Sequence, residues 1–330
     1  MARSVSLEVR ALRKIRTITT VCLLTGLALS GCGRQSQITY ESTRLEAMAE
    51  DLQENAQADS FAKELCVVTG TEGEADASVT AEAAAVFGVD TKEVIFHKNP
   101  FERLYPASIT KIMTALIAIR DGNLSDMVTV GPETVITETG ASLAHINPGD
   151  TLTMEQLLYG LMLPSGNDAG AAIAVHMAGS TDAFAEKMNE TAHALCATDT
   201  HFVNPHGLSN EDHYTTAYDL YLIFNEAMKY QEFQKIIGTV SYRAEYTDGT
   251  GQTKIQEWKN SNQYLNGKSK APDGITILGG KTGTTRAAGS CLILGSQDES
   301  GNDYISVVLK AESRDVLYDN MTKIIGKIVN

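Results

Sequence analysis

The chain has 330 residues, of which 43% are hydrophobic and 21% are charged, a composition typical of globular proteins. Lys and Arg number 27 against 41 Asp and Glu, which gives a formal net charge of −14. Because nucleic-acid-binding proteins present clustered Lys and Arg, we expect no nucleic-acid partner for this acidic chain. The length is sufficient for one large domain or two small ones with a sizeable core.

The N-terminal segment has the pattern of an export signal. A basic start, residues 1–16, precedes the apolar stretch ITTVCLLTGLALSG, which is shorter than the roughly 20 apolar residues of a membrane-spanning helix. This combination is typical of a secretory signal peptide. The stretch ends in LSGC, which resembles the lipobox of bacterial lipoproteins. We therefore expect residues 1–31 to be a lipoprotein signal peptide, with an ordinary signal peptide as the alternative.

In this interpretation Cys32 becomes the lipidated first residue of an exported protein. The lipid would anchor it to the outer face of the cytoplasmic membrane or to another membrane that faces the periplasm. Residues 32–60 are polar and predict a tether, and residues 61–330 predict the folded domain. Three further cysteines, Cys66, Cys196 and Cys291, are an odd number, so we expect no disulfide framework.

The first half of the domain predicts a hairpin followed by helices. Two β-rich runs flank the turn DTKE in AAAVFGVDTKEVIFHKNP. A helix is expected from Ser108, because Ile109, Ile112 and Leu116 recur at the helical period. Residues 153–180 predict two helices separated by the breaker PSGN. Helical segments are also expected at residues 181–196 and 216–237.

The final third returns to strands and ends in a helix. The runs GTVSYRAEYT, GITILGGKTGTT, GSCLILGSQ and DYISVVLKA are β-rich. The terminal NMTKIIGKIVN has a helical apolar face, which favours packing on a sheet over a membrane-surface helix. Early strands, a helical middle and late strands predict an α/β domain of the α+β type. We expect one antiparallel sheet built from both chain ends, with a helical subdomain and no second domain.

Ser108 and Lys111 form the first chemical motif, SITK. Residues three apart project from the same side of a helix, so the two side chains can meet. A serine hydroxyl is a poor nucleophile unless a base takes its proton. Burial lowers the pKa of a lysine by penalising its charged form, so Lys111 would be a suitable base. Taken alone the motif is weak, since a lysine that reaches the surface is the ordinary alternative.

Two further motifs follow in contexts that suit a shared cleft. LPSGNDA places Ser165 and Asn167 in a tight break between helices, and GGKTGTT places Lys281 at the end of an apolar strand. The glycines around Lys281 allow close backbone approach. The order Ser-x-x-Lys, Ser-x-Asn and Lys-Thr-Gly occurs in penicillin-binding proteins and class A β-lactamases.

Together with YPASITKIMTAL, LTMEQLLYGLMLPSGNDA, FVNPHGLSNEDHYTTAYDL and GGKTGTTRAAGSCL, these motifs resemble the serine D-alanyl-D-alanine carboxypeptidases, the low-molecular-mass penicillin-binding proteins. The resemblance covers about residues 65–330 and implies a β-lactamase/transpeptidase-like fold. It also implies that no cofactor or metal is needed. Many members carry a second β-domain and an amphipathic membrane helix at the C-terminus, which we do not expect here. The lipid on Cys32 would replace that anchor.

The resemblance also implies roles for individual residues in removing the terminal D-alanine from a peptidoglycan stem pentapeptide. Ser108 would be acylated, Lys111 would act as general base, and Ser165 would relay a proton to the leaving amine. Asn167 would hold the peptide amide and help to orient Lys111, and Lys281 would supply positive charge. Thr282, Gly283 and Thr284 would contact the substrate, with the Ser108 and Thr284 amides forming an oxyanion hole. β-Lactam antibiotics would acylate Ser108 persistently.

Other activities are compatible with parts of the pattern. A class A-like β-lactamase shares the motifs but needs a glutamate-bearing loop, and Glu211 and Asp212 lack the Glu-x-x-Leu-Asn setting. A zinc peptidase would use His206 and His213 around those acids, although loop-stabilising histidines fit the spacing better. A D,D-endopeptidase acting on cross-links and a non-catalytic peptidoglycan or β-lactam sensor are further alternatives.

Overall fold

The structure is a computed structural model that describes residues 61–69 and 76–329, with the side chains of residues 61 and 62 left undescribed. The predicted signal peptide, the lipidation site Cys32 and the predicted tether lie outside the described residues. Within the described ranges, no helix has both the length and the apolar character needed to cross a membrane.

The described residues contain two antiparallel sheets. The larger sheet has five strands in the order β2-β1-β9-β8-β7, and the smaller has four in the order β3-β4-β5-β6. The strands are β1 (Ala83–Gly88), β2 (Val94–Lys98), β3 (Met127–Thr129), β4 (Thr151–Thr153), β5 (Ser241–Thr247), β6 (Thr253–Lys259), β7 (Ile275–Thr285), β8 (Gly289–Asp298) and β9 (Asp303–Ala311).

The larger sheet confirms the predicted joining of early and late strands. Strand β1 pairs with β9 from Ala83 opposite Leu309 to Gly88 opposite Tyr304. The predicted hairpin is β1 and β2, connected through the segment that holds DTKE. This arrangement places β7 at one edge of the sheet, so its outer side is free of a strand partner in that sheet.

The expectation of a single sheet is wrong. The strand predicted over GTVSYRAEYT is β5, and it pairs with β4 and β6 in the smaller sheet. Strand β5 is buried only at alternate positions, Ala244 and Tyr246, because one of its faces is exposed. Strands β3 and β4 are three residues each, which is too short for a visible period in the sequence.

Seven α-helices lie in the described part of the chain. The helical middle is confirmed, but the segment at residues 216–237 is two helices rather than one. Tyr230 separates them with extended backbone, and no glycine or proline marks that break. The helices are α1 (Lys111–Asp121), α2 (Met154–Met162), α3 (Asn167–Ala178), α4 (Thr181–Ala194), α5 (Ala217–Ala227), α6 (Gln231–Gly238) and α7 (Arg314–Gly326).

Apolar side chains pack on both faces of the larger sheet. Along β1, Ala85 and Phe87 join the cluster formed with the helical middle, whereas Val86 joins the cluster formed with α7. This alternation follows from the two-residue period of a strand. Met321 and Ile325 of α7 are fully buried against the sheet. The terminal helix therefore packs on the domain, as the sequence predicts.

The cysteines of the described residues are free thiols. Cys291 is fully buried in β8, and burial raises the pKa of its thiol to about 12. A thiol in this environment serves as a small core residue. Cys66 is also buried, while Cys196 is exposed.

Candidate active site

Ser108 lies in a short turn that leads directly into α1. Residues Ala107–Thr110 form a 3₁₀ helix, and the α-helix begins at Lys111. The predicted helix start is therefore correct in place, but its first turn is tighter than an α-turn. Ala107 adopts left-handed backbone with φ of 47°, a conformation that non-glycine residues rarely adopt and that recurs at functional sites.

The side chain of Lys111 is completely enclosed. Its exposed fraction is 0%, and its Nζ lies 3.0 Å from the Oγ of Ser108. Two further oxygens surround the nitrogen, namely Asn167 Oδ1 at 2.7 Å and the backbone carbonyl of His206 at 2.6 Å. The predicted pair is thus brought together with the predicted amide, and a backbone carbonyl completes the set.

This enclosure favours the uncharged amine of Lys111. Burial is the main cause that sets the pKa of Lys111 well below 10.5, and the charge of Lys281 acts in the same direction. The carboxylate of Asp168 opposes them weakly. A neutral amine has two N–H groups and one lone pair. If the Asn167 and His206 oxygens accept the two N–H groups, the lone pair is left for the hydroxyl of Ser108.

Ser165 and Lys281 form a second buried pair. Ser165 sits in the break between α2 and α3 with left-handed backbone, φ 67°. Lys281 Nζ lies 3.0 Å from Ser165 Oγ and 2.9 Å from the carbonyl of Thr282. Burial lowers the pKa of Lys281 to about 7, and the nearby charge of Arg314 contributes. Lys281 is therefore a cation that neutralises near physiological pH.

The C-terminal end of β7 forms one wall of the cleft. A Cβ at Gly283 would lie 3.0 Å from the backbone nitrogen of Ser108, so glycine lets the strand approach the nucleophile turn. Thr284 is exposed and lines the cleft, whereas Thr282 is almost buried and its hydroxyl lies 2.7 Å from that of Ser261. Ser261 was not predicted, because an isolated serine carries no distinguishing pattern.

The cleft has a volume of about 330 Å³, within the range of small-molecule sites. Ser108, Asn167 and Thr284 line it together with Arg286. The segment at residues 139–142 forms another wall, and most of the lining is polar. Such a cleft suits an extended peptide with hydrogen-bonding backbone groups.

The segment at residues 139–146, which supplies the lining residues 139–142, is held by buried hydrogen bonds. The carboxylate of Asp168 accepts the amides of Ala144 at 2.8 Å and Ile146 at 3.2 Å. The indole of Trp258 donates to the carbonyl of Ala144 at 2.9 Å. Burial raises the pKa of Asp168, while these amides lower it. Asp168 thus holds the segment that supplies this cleft wall, a role that the sequence did not reveal.

His206 and His213 belong to the loop behind Lys111, which disfavours the zinc interpretation. The ring of His213 accepts the Val203 amide at Nδ1, and its Nε2 lies 2.8 Å from the hydroxyl of Thr110. Both ring nitrogens are therefore used within the protein. Burial lowers the pKa of both histidines to about 3. No cluster of three metal-ligating side chains occurs in the residues that the structure describes.

Comparison with known proteins gives consistent matches. The D-alanyl-D-alanine carboxypeptidase family S11 matches residues 70–313. The chain is 33% identical over 247 residues to the D-alanyl-D-alanine carboxypeptidase of Streptomyces sp. strain K15, covering 72% of this chain and 82% of that protein. It is 38% identical over 172 residues to D-alanyl-D-alanine carboxypeptidase DacF of Bacillus subtilis, covering 51% of this chain and 44% of DacF. The match thus spans less than half of DacF.

The fold has close relatives among solved structures. The crystal structure of the Streptomyces K15 DD-transpeptidase matches with a TM-score of 0.71 at 32% identity, covering 77% of this chain and 98% of that one. This likeness confirms the predicted transpeptidase-like fold, in which both chain ends contribute to one sheet.

Proposed function

Because the chain belongs to the serine D-alanyl-D-alanine carboxypeptidase family S11, we propose that it removes the terminal D-alanine from peptidoglycan stem pentapeptides and thereby acts in cell-wall metabolism. One observation carries this proposal: the fully buried Lys111 nitrogen lies 3.0 Å from the hydroxyl of Ser108. A dry amine at this distance is placed to accept the hydroxyl proton as a general base.

In the proposed acylation, the proton of Ser108 moves to Lys111 as Oγ attacks the carbonyl between the two D-alanines. The C–N bond then breaks, and the leaving amine takes a proton through Ser165, which Lys281 supports. D-Alanine leaves and an ester remains on Ser108. Water later hydrolyses the ester, which restores the serine. The two Ser–Lys hydrogen bonds, and the presence of Ser108 and Asn167 in the lining of the cleft, support this division of roles.

Substrate binding is assigned to the end of β7. Lys281, with Thr282 and Thr284, would hold the C-terminal carboxylate of the substrate. The amides of Ser108 and Thr284 would donate to the developing oxyanion, and one such donor is typically worth about 3 kcal/mol of barrier. The close approach of Gly283 to the Ser108 amide supports this arrangement. Asn167 would orient both Lys111 and the peptide.

A second candidate concerns the acceptor of the acyl group. The solved Streptomyces relative is a DD-transpeptidase. A transpeptidase transfers the acyl group to an amine instead of water. Adding an amine acceptor such as glycine to the assay distinguishes the two. A carboxypeptidase yields mainly hydrolysed tetrapeptide, whereas a transpeptidase yields the glycine adduct. The same assay with cross-linked dimers as substrate tests the endopeptidase alternative.

We also propose that Cys32 carries a lipid that anchors the exported protein to a membrane. The basic start, the short apolar stretch and the LSGC ending support this assignment. Stable membrane anchoring needs more than one acyl chain, and lipoproteins carry several. Replacing Cys32 with Ser is expected to move the protein from the membrane fraction to the soluble fraction. Retention of the Cys32→Ser protein in the membrane fraction would contradict the proposal.

The proposed activity is tested by measuring D-alanine release from a stem pentapeptide. The wild-type protein is expected to release one D-alanine per peptide, while Ser108→Ala is expected to release none above background. Mass spectrometry after incubation with penicillin should place a single adduct on the peptide that contains Ser108. Rapid, sustained turnover of nitrocefin would instead favour the β-lactamase alternative. Binding of pentapeptide with neither release nor acylation would favour a sensor.

A further inference from the structure

Two buried side chains, those of Thr110 and His213, are linked in series by hydrogen bonds to the peptide unit between Ala107 and Ser108. Its carbonyl, on Ala107, accepts the hydroxyl of Thr110 at 2.8 Å. That hydroxyl also lies 2.8 Å from Nε2 of His213. Thr110 and His213 are each about 1% exposed. Hydrogen bonds therefore link His213 through Thr110 to Ala107, the residue before the nucleophile Ser108.

The direction of these hydrogen bonds follows from one backbone amide. Because the Val203 N–H donates to Nδ1 of His213 at 3.1 Å, Nδ1 is an acceptor and the proton of the neutral ring lies on Nε2. Nε2–H then donates to Thr110, whose own hydroxyl proton is available for the Ala107 carbonyl. Burial keeps the pKa of His213 near 3, so the ring is neutral at physiological pH.

The Ala107–Ser108 peptide opens the short 3₁₀ helix, and its conformation depends on the groups packed around it. Ala107 holds a left-handed backbone, φ 47°, which an L-residue keeps only when its surroundings impose it. Gly207 lies directly against the same carbonyl, since a Cβ there would be 1.9 Å from the Ala107 oxygen. The carbonyl is therefore confined by backbone on one side and held by the Thr110 hydroxyl.

A peptide unit is planar, so its C=O and N–H point in opposite directions and turn together. Fixing the Ala107 carbonyl therefore fixes the direction of the Ser108 N–H, the donor assigned above to the oxyanion. We propose that His213 and Thr110 are positioning residues that aim the Ser108 amide at the developing oxyanion. This inference rests on the proposed acyl transfer at Ser108 and adds to it two residues that need not touch the substrate.

A pair of His213 variants separates this role from support of the loop. Asn places an oxygen where Nδ1 accepts the Val203 amide but lacks the donor to Thr110. Gln reaches the Nε2 position with an N–H and loses the Val203 acceptor. The proposal predicts that His213→Gln acylates faster than His213→Asn. A histidine that only stabilises the loop predicts the opposite order.

Thr110 provides a matched test of the same link. Thr110→Val keeps the shape but removes the hydroxyl, and Thr110→Ser keeps the hydroxyl. Thr215→Val is the control, because Thr215 is also fully buried and its hydroxyl bonds only to that of Thr200 among the described residues. Stopped-flow acylation by a chromogenic β-lactam separates the dissociation constant of the complex from the acylation rate constant.

Thr110→Val is expected to lower the acylation rate constant at least about tenfold with little change in the dissociation constant, because the loss falls on oxyanion stabilisation. Thr110→Ser and Thr215→Val should remain within about threefold of the wild type, the range expected when the oxyanion donor stays in place. Unchanged acylation by Thr110→Val, or a loss confined to binding, would overturn the proposal. If Thr110→Val does not fold, the order of the two His213 variants decides. Failure of the wild-type protein to be acylated would overturn the proposed function as well.

Discussion

Lys281 Nζ lies 3.0 Å from Ser165 Oγ, and both side chains are nearly inaccessible to solvent. The site therefore holds two buried Ser–Lys pairs, and the charge of Lys281 is one cause of the lowered pKa of Lys111. Burial lowers the pKa of both lysines, so the two side chains need not be charged at the same time.

The value of kcat/KM for the pentapeptide should have a bell-shaped pH dependence. It rises as Lys111 loses its proton, at a pKa well below 10.5. It falls as pH passes the pKa of Lys281, about 7, since the cation that holds the substrate carboxylate is then lost. Because kcat/KM reports the free enzyme, the alkaline limb belongs to the unliganded Lys281. A flat profile between pH 5 and pH 9 would contradict the alkaline limb assigned to Lys281.

Removing the charge of Lys281 should move the acid limb to higher pH. In Lys281→Gln the cation no longer disfavours protonation of Lys111, so the pKa of Lys111 rises. The acylation rate by a β-lactam, followed against pH, measures this shift. Arg286→Gln is the control, because it removes another positive charge from the cleft, whereas Lys281 is the charge that lowers the pKa of Lys111. An acid limb that shifts equally in both variants would show a general charge effect.

Replacing Lys111 should remove most of the acylation rate without preventing folding. General-base catalysis by a positioned group contributes roughly 10²- to 10⁴-fold, and Lys111→Met is expected to lose an amount in this range. Lys111→Arg should be no better, because arginine keeps its proton. Thermal unfolding of both variants provides the control. Substantial acylation by Lys111→Arg would exclude a neutral base at this position.

Gly207 should tolerate no side chain. Its φ of 86° already disfavours a Cβ, and that Cβ would lie 1.9 Å from the carbonyl oxygen of Ala107. Gly207→Ala is therefore expected to destabilise the fold by more than about 2 kcal/mol, since the backbone has to shift. Gly179→Ala isolates the cost of the left-handed backbone, because Gly179 has φ of 82° and open space around it. Equal losses in denaturant unfolding would show that the close contact costs nothing.

Asp168→Asn should weaken the cleft wall, because the buried carboxylate accepts the amides of Ala144 and Ile146. A hydrogen bond to a charged group contributes about 1.5–3 kcal/mol, and the expected loss of unfolding free energy is of that order. Since Asp168 favours protonation of Lys111, the acid limb should also move to lower pH. Asp298→Asn is the control, because that half-buried carboxylate also accepts two backbone amides. Asp298→Asn should leave the pH profile unchanged. The same shift of the acid limb in both variants would contradict a specific role for Asp168.

The core of the site was predictable because its residues are marked by local patterns. Ser108 and Lys111 are close in sequence, and helical geometry alone brings them together. Ser165 and Lys281 are distant, but each lies in a short motif with glycine or a helix break beside it. The central sheet was predictable for a similar reason, since its late strands are long and rich in apolar residues.

The missing parts have no such pattern. The carbonyl of His206 binds Lys111, and a backbone acceptor leaves no trace in the choice of residue. His213 was expected to stabilise a loop, but its contact with Thr110 joins residues 103 positions apart. Strands β3 and β4 of the smaller sheet were missed because they are only three residues long. The break between α5 and α6 was missed because Tyr230 is an ordinary residue within a helix.

The central claim is that Lys111 is an uncharged amine beside Ser108 in the resting protein. The most direct measurement is an NMR titration of lysine side chains labelled with 13C at Cε, with Lys111→Met and Lys281→Gln used to assign the two buried signals. The account predicts that the Lys111 signal titrates far below pH 10.5. A Lys111 signal that titrates near its ordinary pKa would contradict it.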